Sequence, residues 1–266
     1  MNTNNVRTSK VSDSNSLDDI LSGAEIGSKQ DITPADIIDS LAYNKNLEYK
    51  EFEDEADSGF TYGGDSRSEE SFMRAYSNFD RLIDDMDYNE MSAFERYAEG
   101  HFMDGQQYHG FKKMSEADQR RTRIYDKFLD RSVLDKGIVV TRRATPQLLG
   151  FYSSERPTLA QLQKMKGKVV YSPANMSTGL AKTGLEIGGG YEKPVEYRIH
   201  IPGGSVGAGM WIGDHRINGW GGKQREFMTN RDSLYVIGDS REAKDFRGRD
   251  INVVDLYYIG RTKHKY

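Results

Sequence analysis

The chain has no cysteine among its 266 residues. Disulfides, a thiolate nucleophile and cysteine metal sites are thereby excluded together. Histidine is scarce, at positions 101, 109, 200, 215 and 264 only, and none of these share a spacing that would bring two imidazoles onto one metal. A metal centre is therefore not expected. No apolar run approaches the roughly 20 residues that cross a bilayer. Met1 to Ser16 is polar and lacks the apolar centre of a secretory signal, so any export is expected to use another route.

What is present is length, charge and glycine. The chain is long enough for one large domain or two modest ones, with a buried core. Its net charge of -4 hides an asymmetry: residues 1–100 carry 23 acidic and 9 basic side chains, the remainder 18 acidic and 28 basic. A basic second part suits an anionic ligand or partner; solubility, or a match to the acidic first part, explains it equally well.

Residues 1–30 are rich in Ser, Asn, Asp and Thr without periodicity and read as a loosely attached segment. A short helix is expected over Asp31 to Ala42, then an acidic, glycine-bearing linker, with the ordered domain starting at 66. Phe72, Tyr76, Phe79, Ile83 and Met86 recur at helical steps. Ser92-x-x-Glu95 reads as a capping box heading the next helix, with Phe94 and Tyr97 inward. Ser115 to Arg131 is a third helix, whose Arg120, Arg121 and Arg123 form a solvated face. From Gly137 the period becomes that of strands: Ile138–Arg142, Lys168–Tyr171, Val195–Ile201, Leu234–Ile237 and Ile251–Ile259. Helices first and strands after predict an α+β fold, with a helical part at 66–136 and a strand-rich core at 137–266.

The segment of most chemical interest is Asn218-Gly219-Trp220-Gly221-Gly222 followed by Lys223-Gln224-Arg225-Glu226. The glycines read as a tight loop, and Phe227 onward as a strand running into a turn at Asn230-Arg231-Asp232. Side chains two apart share a face, so Gln224 and Glu226 are expected to point together.

Four motifs in order resemble the Arg-Ser-Glu class of mono-ADP-ribosyltransferases. Gly137-Ile-Val-Val-Thr-Arg142-Arg143-Ala-Thr-Pro-Gln147 resembles the strand that carries the class's first arginine. Ser177-Thr178-Gly179 is similar to its Ser-Thr-Ser segment. Ile199-His-Ile-Pro202-Gly-Gly204-Ser205-Val-Gly207-Ala208 resembles its Ile-Pro-x-Gly-Ser-x-Gly-Ala run, and Gln224-Arg225-Glu226 its Glu-x-Glu or Gln-x-Glu signature. The resemblance spans residues 66–262 and implies helices followed by a two-sheet NAD-binding core. It also implies transfer of ADP-ribose from NAD to a macromolecule, with release of nicotinamide.

Carried over by position, the resemblance assigns Arg142 to NAD, with Arg143 beside it, and Glu226 to the 2′-hydroxyl of the nicotinamide ribose. Ser177 would brace Glu226, Thr178 would shape the nicotinamide wall, and Gln224 would meet the acceptor. Tyr191 would stack on nicotinamide, with Lys182 or Lys193 reaching a phosphate. Trp220 either anchors the target surface or packs under its loop. His200 and His215 read as structural. The chemistry agrees: a fixed carboxylate stabilises an oxocarbenium-like ribose, an arginine fork matches phosphate oxygens, and no metal is required.

Gln224 departs from the first glutamate kept by arginine-modifying members. An amide cannot act as a base, so a non-arginine protein side chain is the expected acceptor. Thr141, where tyrosine is common, and Gly179 are further departures. The resemblance implies a host protein as partner and a toxin, effector or phage-borne protein made in the cytoplasm and delivered onward. Residues 1–65 are a candidate adaptor for a delivery component; the basic excess leaves a nucleic-acid acceptor open. The rival readings are a non-catalytic binding module on the same scaffold, or an assembly protein whose acidic half docks on a basic surface.

Overall fold

The computed structural model describes residues 78–98, 110–180, 195–212, 226–244 and 248–264. Three helices come first: α1 (Phe79–Asp84), α2 (Tyr88–Ala98) and α3 (Glu116–Leu129). Their apolar residues recur at three- and four-residue steps, and Phe79, Ile83, Phe94, Tyr97, Phe128 and Leu129 are all buried in one core. Tyr125 ties α3 to α2, its hydroxyl donating to the Ala93 carbonyl at 2.7 Å and its ring lying 5.0 Å from that of Phe94. Arg120 and Arg123 are exposed, whereas Arg121 is half-buried and paired with Asp118 at 3.1 Å.

The start of α2 corrects the expected capping box. Ser92 lies inside the helix. The reciprocal bonds are made one turn earlier: the Asp87 N–H donates to Glu90 Oε2 at 2.8 Å, and the Glu90 N–H to Asp87 Oδ1 at 2.9 Å. Aspartate caps as well as serine does, and the earlier start also brings Glu90 to Lys127 of α3, at 2.5 Å. Ser115 does cap α3, accepting from the Asp118 N–H at 3.2 Å.

The strands are β1 (Val133–Leu134), β2 (Ile138–Ala144), β3 (Val169–Ser172), β4 (Met176–Gly179), β5 (Val195–Ile201), β6 (Ser205–Val206), β7 (Gly209–Trp211), β8 (Glu226–Thr229), β9 (Ser233–Lys244) and β10 (Asp250–Arg261). A short helix α4 (Leu159–Gln163) precedes β3 under a Thr158 capping box. β9 and β10 outrun their sequence estimates because their far ends are polar and carry no alternation to read. β1 and β6 form a separate ribbon.

The main sheet runs β3-β9-β10-β5-β2-β4-β8-β7. It falls into two blocks, because among the described residues β2 and β4 share a single register pair, Thr141 with Gly179. On one side stands β3-β9-β10-β5-β2, in which only β5 and β10 are parallel; on the other stands β4-β8-β7. Ile138, Val140, Val195, Tyr197, Ile199, Val254 and Leu256 of the first block join Met176, Met210, Phe227 and Met228 of the second in the core that the helices cover. This is the expected α+β arrangement of helices followed by a strand-rich core.

Candidate active site

Glu226 opens β8, and Ser177 lies on β4 beside it. The β4–β8 ladder pairs Ser177 with Met228 and Gly179 with Glu226. Residues two apart share a face, so Ser177 and Glu226 are diagonal neighbours on the same side. The Ser177 hydroxyl donates to Glu226 Oε1. Thr178, one residue on, faces the opposite side, and its hydroxyl donates to the Phe227 carbonyl at 2.5 Å. It fastens β4 to β8 and does not reach the carboxylate. β7 closes the block by close backbone approach: a Cβ on Gly209 would lie 2.4 Å from the Met228 carbonyl oxygen.

Arg142 arrives from the other block. It shares the strand phase of Ile138 and Val140, which puts it on the core-facing side of β2. Its Nη1 donates to the Ser177 carbonyl at 2.8 Å, bridging the joint between the blocks. Arg143 has the opposite phase: it is buried on the other face, across the ladder from Glu196, and is not brought to Glu226.

A fourth side chain was not singled out as functional from sequence. Tyr97 of α2 reads there only as an inward aromatic, yet its hydroxyl hydrogen-bonds Glu226. The phenol is 2% exposed. Only a polar tip on an otherwise apolar helix face hints at this role.

Burial pushes the Glu226 carboxyl up to about 7, against the lowering effects of the Ser177 hydrogen bond, the Arg142 charge and the Tyr97 hydrogen bond. The carboxylate is thus poised to ionise near neutrality in a dry setting, with an arginine fork alongside. Such a group stabilises positive charge on a substrate far better than it would in water.

Gln224, Trp220, Tyr191, Lys182, Lys193 and His215 lie outside the described residues, as do Phe72, Tyr76 and the segment 1–65. His200 lies away from the carboxylate, with its Nε2 3.1 Å from Asp255 and its ring stacked on Tyr257 at 4.6 Å. Among the described residues, no group of three or more acidic or histidine side chains is arranged to hold a metal.

Glu226 is thus a strand-built carboxylate held by serine and tyrosine hydroxyls, with an arginine from the neighbouring block beside it. The sequence model of the ADP-ribosyltransferase exoenzyme family matches residues 105–257. The chain belongs to that family and is an NAD-dependent mono-ADP-ribosyltransferase, with NAD as its substrate and a protein as acceptor.

Solved structures share its fold. Plx2a, an ADP-ribosyltransferase toxin from Paenibacillus larvae, superposes with a TM-score of 0.60 at 16% identity, over 74% of this chain and 97% of that one. C3stau2 from S. aureus, solved with NAD, gives 0.58 at 15% identity, over 80% and 100%. BECa, from a binary enterotoxin of C. perfringens and solved with NADH, gives 0.60 at 16%, over 74% of this chain and 49% of that one. No curated protein sequence matches the chain.

Proposed function

We propose that this enzyme breaks the bond between nicotinamide and ribose in NAD on Glu226 and passes the ADP-ribose to a side chain other than arginine. The observation that supports this most directly is the Glu226 carboxylate itself, buried, held by Ser177 and Tyr97, and facing the Arg142 guanidinium. As the C1′–N1 bond breaks, its electron pair leaves with nicotinamide, which departs neutral, and positive charge develops on the ribose. Glu226, hydrogen-bonded to the 2′-hydroxyl, stabilises that charge. Arg142 clamps a phosphate or the ribose on the nicotinamide side, because its planar donors match oxygen pairs. Ser177 and Tyr97 fix the carboxylate so that no reorganisation is needed when the bond breaks. The acceptor nucleophile then attacks C1′ and loses its proton.

Gln224 stands where arginine-modifying enzymes keep a glutamate. It can donate and accept hydrogen bonds but takes no proton, which fits recognition of another amide rather than a guanidinium. Trp220, on the glycine loop before it, is the proposed contact for the target surface. We take residues 66–266 as the catalytic unit and residues 1–65 as an acidic segment for packaging or delivery into a target cell.

The test is nicotinamide release by the purified protein beside Glu226→Gln, with and without a cell lysate and labelled NAD. Release that disappears in the variant, with labelled lysate proteins in the wild type only, is the expected result. Equal release from both proteins would refute the role of Glu226. No release and no NAD binding in either would favour the non-catalytic scaffold.

A further inference from the structure

At the other end of β8 lies a charged cluster that the chemistry above does not use. The turn Asn230–Asp232 follows the strand directly, and its residues are 0, 4 and 2% exposed although two of them are charged. Arg231 makes a bidentate pair with Asp126 of α3, with Nε to Oδ1 and Nη2 to Oδ2 both at 2.8 Å. Its Nη1 lies 3.0 Å from Asp232. Asn230 Nδ2 donates to Asp130 Oδ1 and to the Gly207 carbonyl, each at 3.0 Å. Asp232, in left-handed backbone at φ 60, accepts from the Tyr171 hydroxyl and, through its carbonyl, from the Thr262 N–H at 2.9 Å.

His264 closes this cluster from beyond β10. Its Nδ1 is 2.9 Å from Asp232 Oδ2, and its Nε2 is 2.9 Å from Asp130 Oδ1 and 3.6 Å from Asp126 Oδ1. Arg261 shares Asp130 at 2.9 Å, and its Nη1 also lies 3.0 Å from His264 Nε2. Three carboxylates thus face the ring, Asp232 at Nδ1 and Asp130 and Asp126 at Nε2, against one guanidinium contact at Nε2, and this balance favours the imidazolium, which donates from both nitrogens. The charges then balance: Arg231, Arg261 and His264 against Asp126, Asp130 and Asp232, with Tyr171 from β3 completing the surroundings. Burial disfavours the charge on His264, but Asp130, Asp232 and Asp126 outweigh it and raise the group above its ordinary value.

We infer that His264 is a positioning residue for the reaction: as the cation that completes the cluster, it pins the turn after β8 and so the register in which β8 presents Glu226 to Ser177. β8 is four residues long and pairs with β4 from Met176–Thr229 to Gly179–Glu226. A slip of one residue turns Glu226 to the opposite face, away from Ser177. The ladder alone is short, and the anchored turn fixes its end. Loss of the imidazolium leaves a buried net negative charge beside Asp232 and loosens that anchor.

The inference rests on the reading of Glu226 given above, and the experiment separates the two. kcat and KM for nicotinamide release are measured against pH in the full chain for wild type, His264→Gln, Asp232→Asn, the double variant and Glu226→Gln. Asparagine tolerates the backbone of Asp232, so the turn itself is spared. His264→Gln should lower kcat about ten- to a hundredfold, as a misplaced catalytic group does, with KM for NAD within about twofold. An alkaline fall in wild-type kcat should be absent from His264→Gln. The double variant removes one charge of each sign and should recover most of the loss. Wild-type kcat in His264→Gln, an unchanged alkaline limb, or a double variant no better than the single would overturn the inference. Should His264→Gln fail to fold, the charge-balanced double variant decides: near-wild-type kcat without the alkaline limb supports the pin, and a retained limb refutes it. Activity surviving in Glu226→Gln would instead refute the proposed function.

Discussion

Ser177→Ala removes one of the two hydroxyl donors on Glu226, while the Ser177 backbone carbonyl that receives Arg142 remains. The carboxyl is already pushed by burial to about 7, and the Ser177 hydrogen bond opposes that rise. A hydrogen bond to a charged group is worth about 1.5–3 kcal/mol, equivalent to about 1–2 pH units of further increase. At pH 7 the ionised fraction should then drop from about one half to between about one tenth and one hundredth, a loss of roughly five- to fiftyfold. At about pH 9 the variant should lie within about twofold of wild type. The assay is kcat/KM for nicotinamide release from NAD, followed from about pH 5.5 to 9.5. An acid limb that moves upward, with activity restored in alkali, is the expected pattern. A uniform loss at every pH, with the limb in its original place, would refute the claim that Ser177 acts by tuning and holding the carboxylate.

Glu226→Gln should abolish nicotinamide release and yet raise stability in alkali. The folded carboxyl sits at about 7 against an ordinary 4.5, so the native state loses stability as pH rises through that window, by about 3 kcal/mol once complete. Thermal melts of the two proteins should therefore coincide below about pH 4.5, diverge progressively between about pH 4.5 and 7, and keep a constant gap above that. Tyr97→Phe removes the other hydroxyl from Glu226 and should also shift the acid limb upward, without loss of the α2 packing that its ring provides; a melting temperature that collapses would contradict this. Arg142→Lys keeps the charge but loses the fork, and KM for NAD should rise about ten- to a hundredfold, measured by initial rates. Gln224→Ala should remove transfer to protein and leave much of the NAD hydrolysis; equal loss of both would end the separation of roles.

The face of Arg142 was not legible in the sequence, because Ile138-Val139-Val140 is continuously apolar; the alternation of the strand within the ladder sets its phase. The same alternation sends Arg143 the other way, which a motif of two adjacent arginines does not reveal. Ser177 and Glu226 are 49 residues apart, and only the ordered resemblance joined them before the ladder did. Tyr97 was hidden because helical spacing speaks for its ring and is silent about its hydroxyl. The capping of α2 was misread because Asp87-x-x-Glu90 and Ser92-x-x-Glu95 are both competent signals, and only the packing of Glu90 against Lys127 separates them. The Arg231–Asp126 pair spans 105 positions, and nothing local in either residue names the other. What sequence reads well is periodic and local; charge pairing across the fold is neither.

The single backbone step that joins β2 to β4 among the described residues, Thr141 with Gly179, has a mechanical meaning. A ladder of many rungs resists shearing along its whole length, whereas one rung resists it at a point. Arg142 stands next to that rung on one side, and Ser177, with Glu226 behind it, stands close by on the other. On the proposed reading of Arg142 and Glu226, this thinly laddered seam lies where two halves of a dinucleotide would be gripped at once. The arginine that spans the seam doubles as its stitch, so on that reading whatever draws the guanidinium toward a phosphate would also slacken the join.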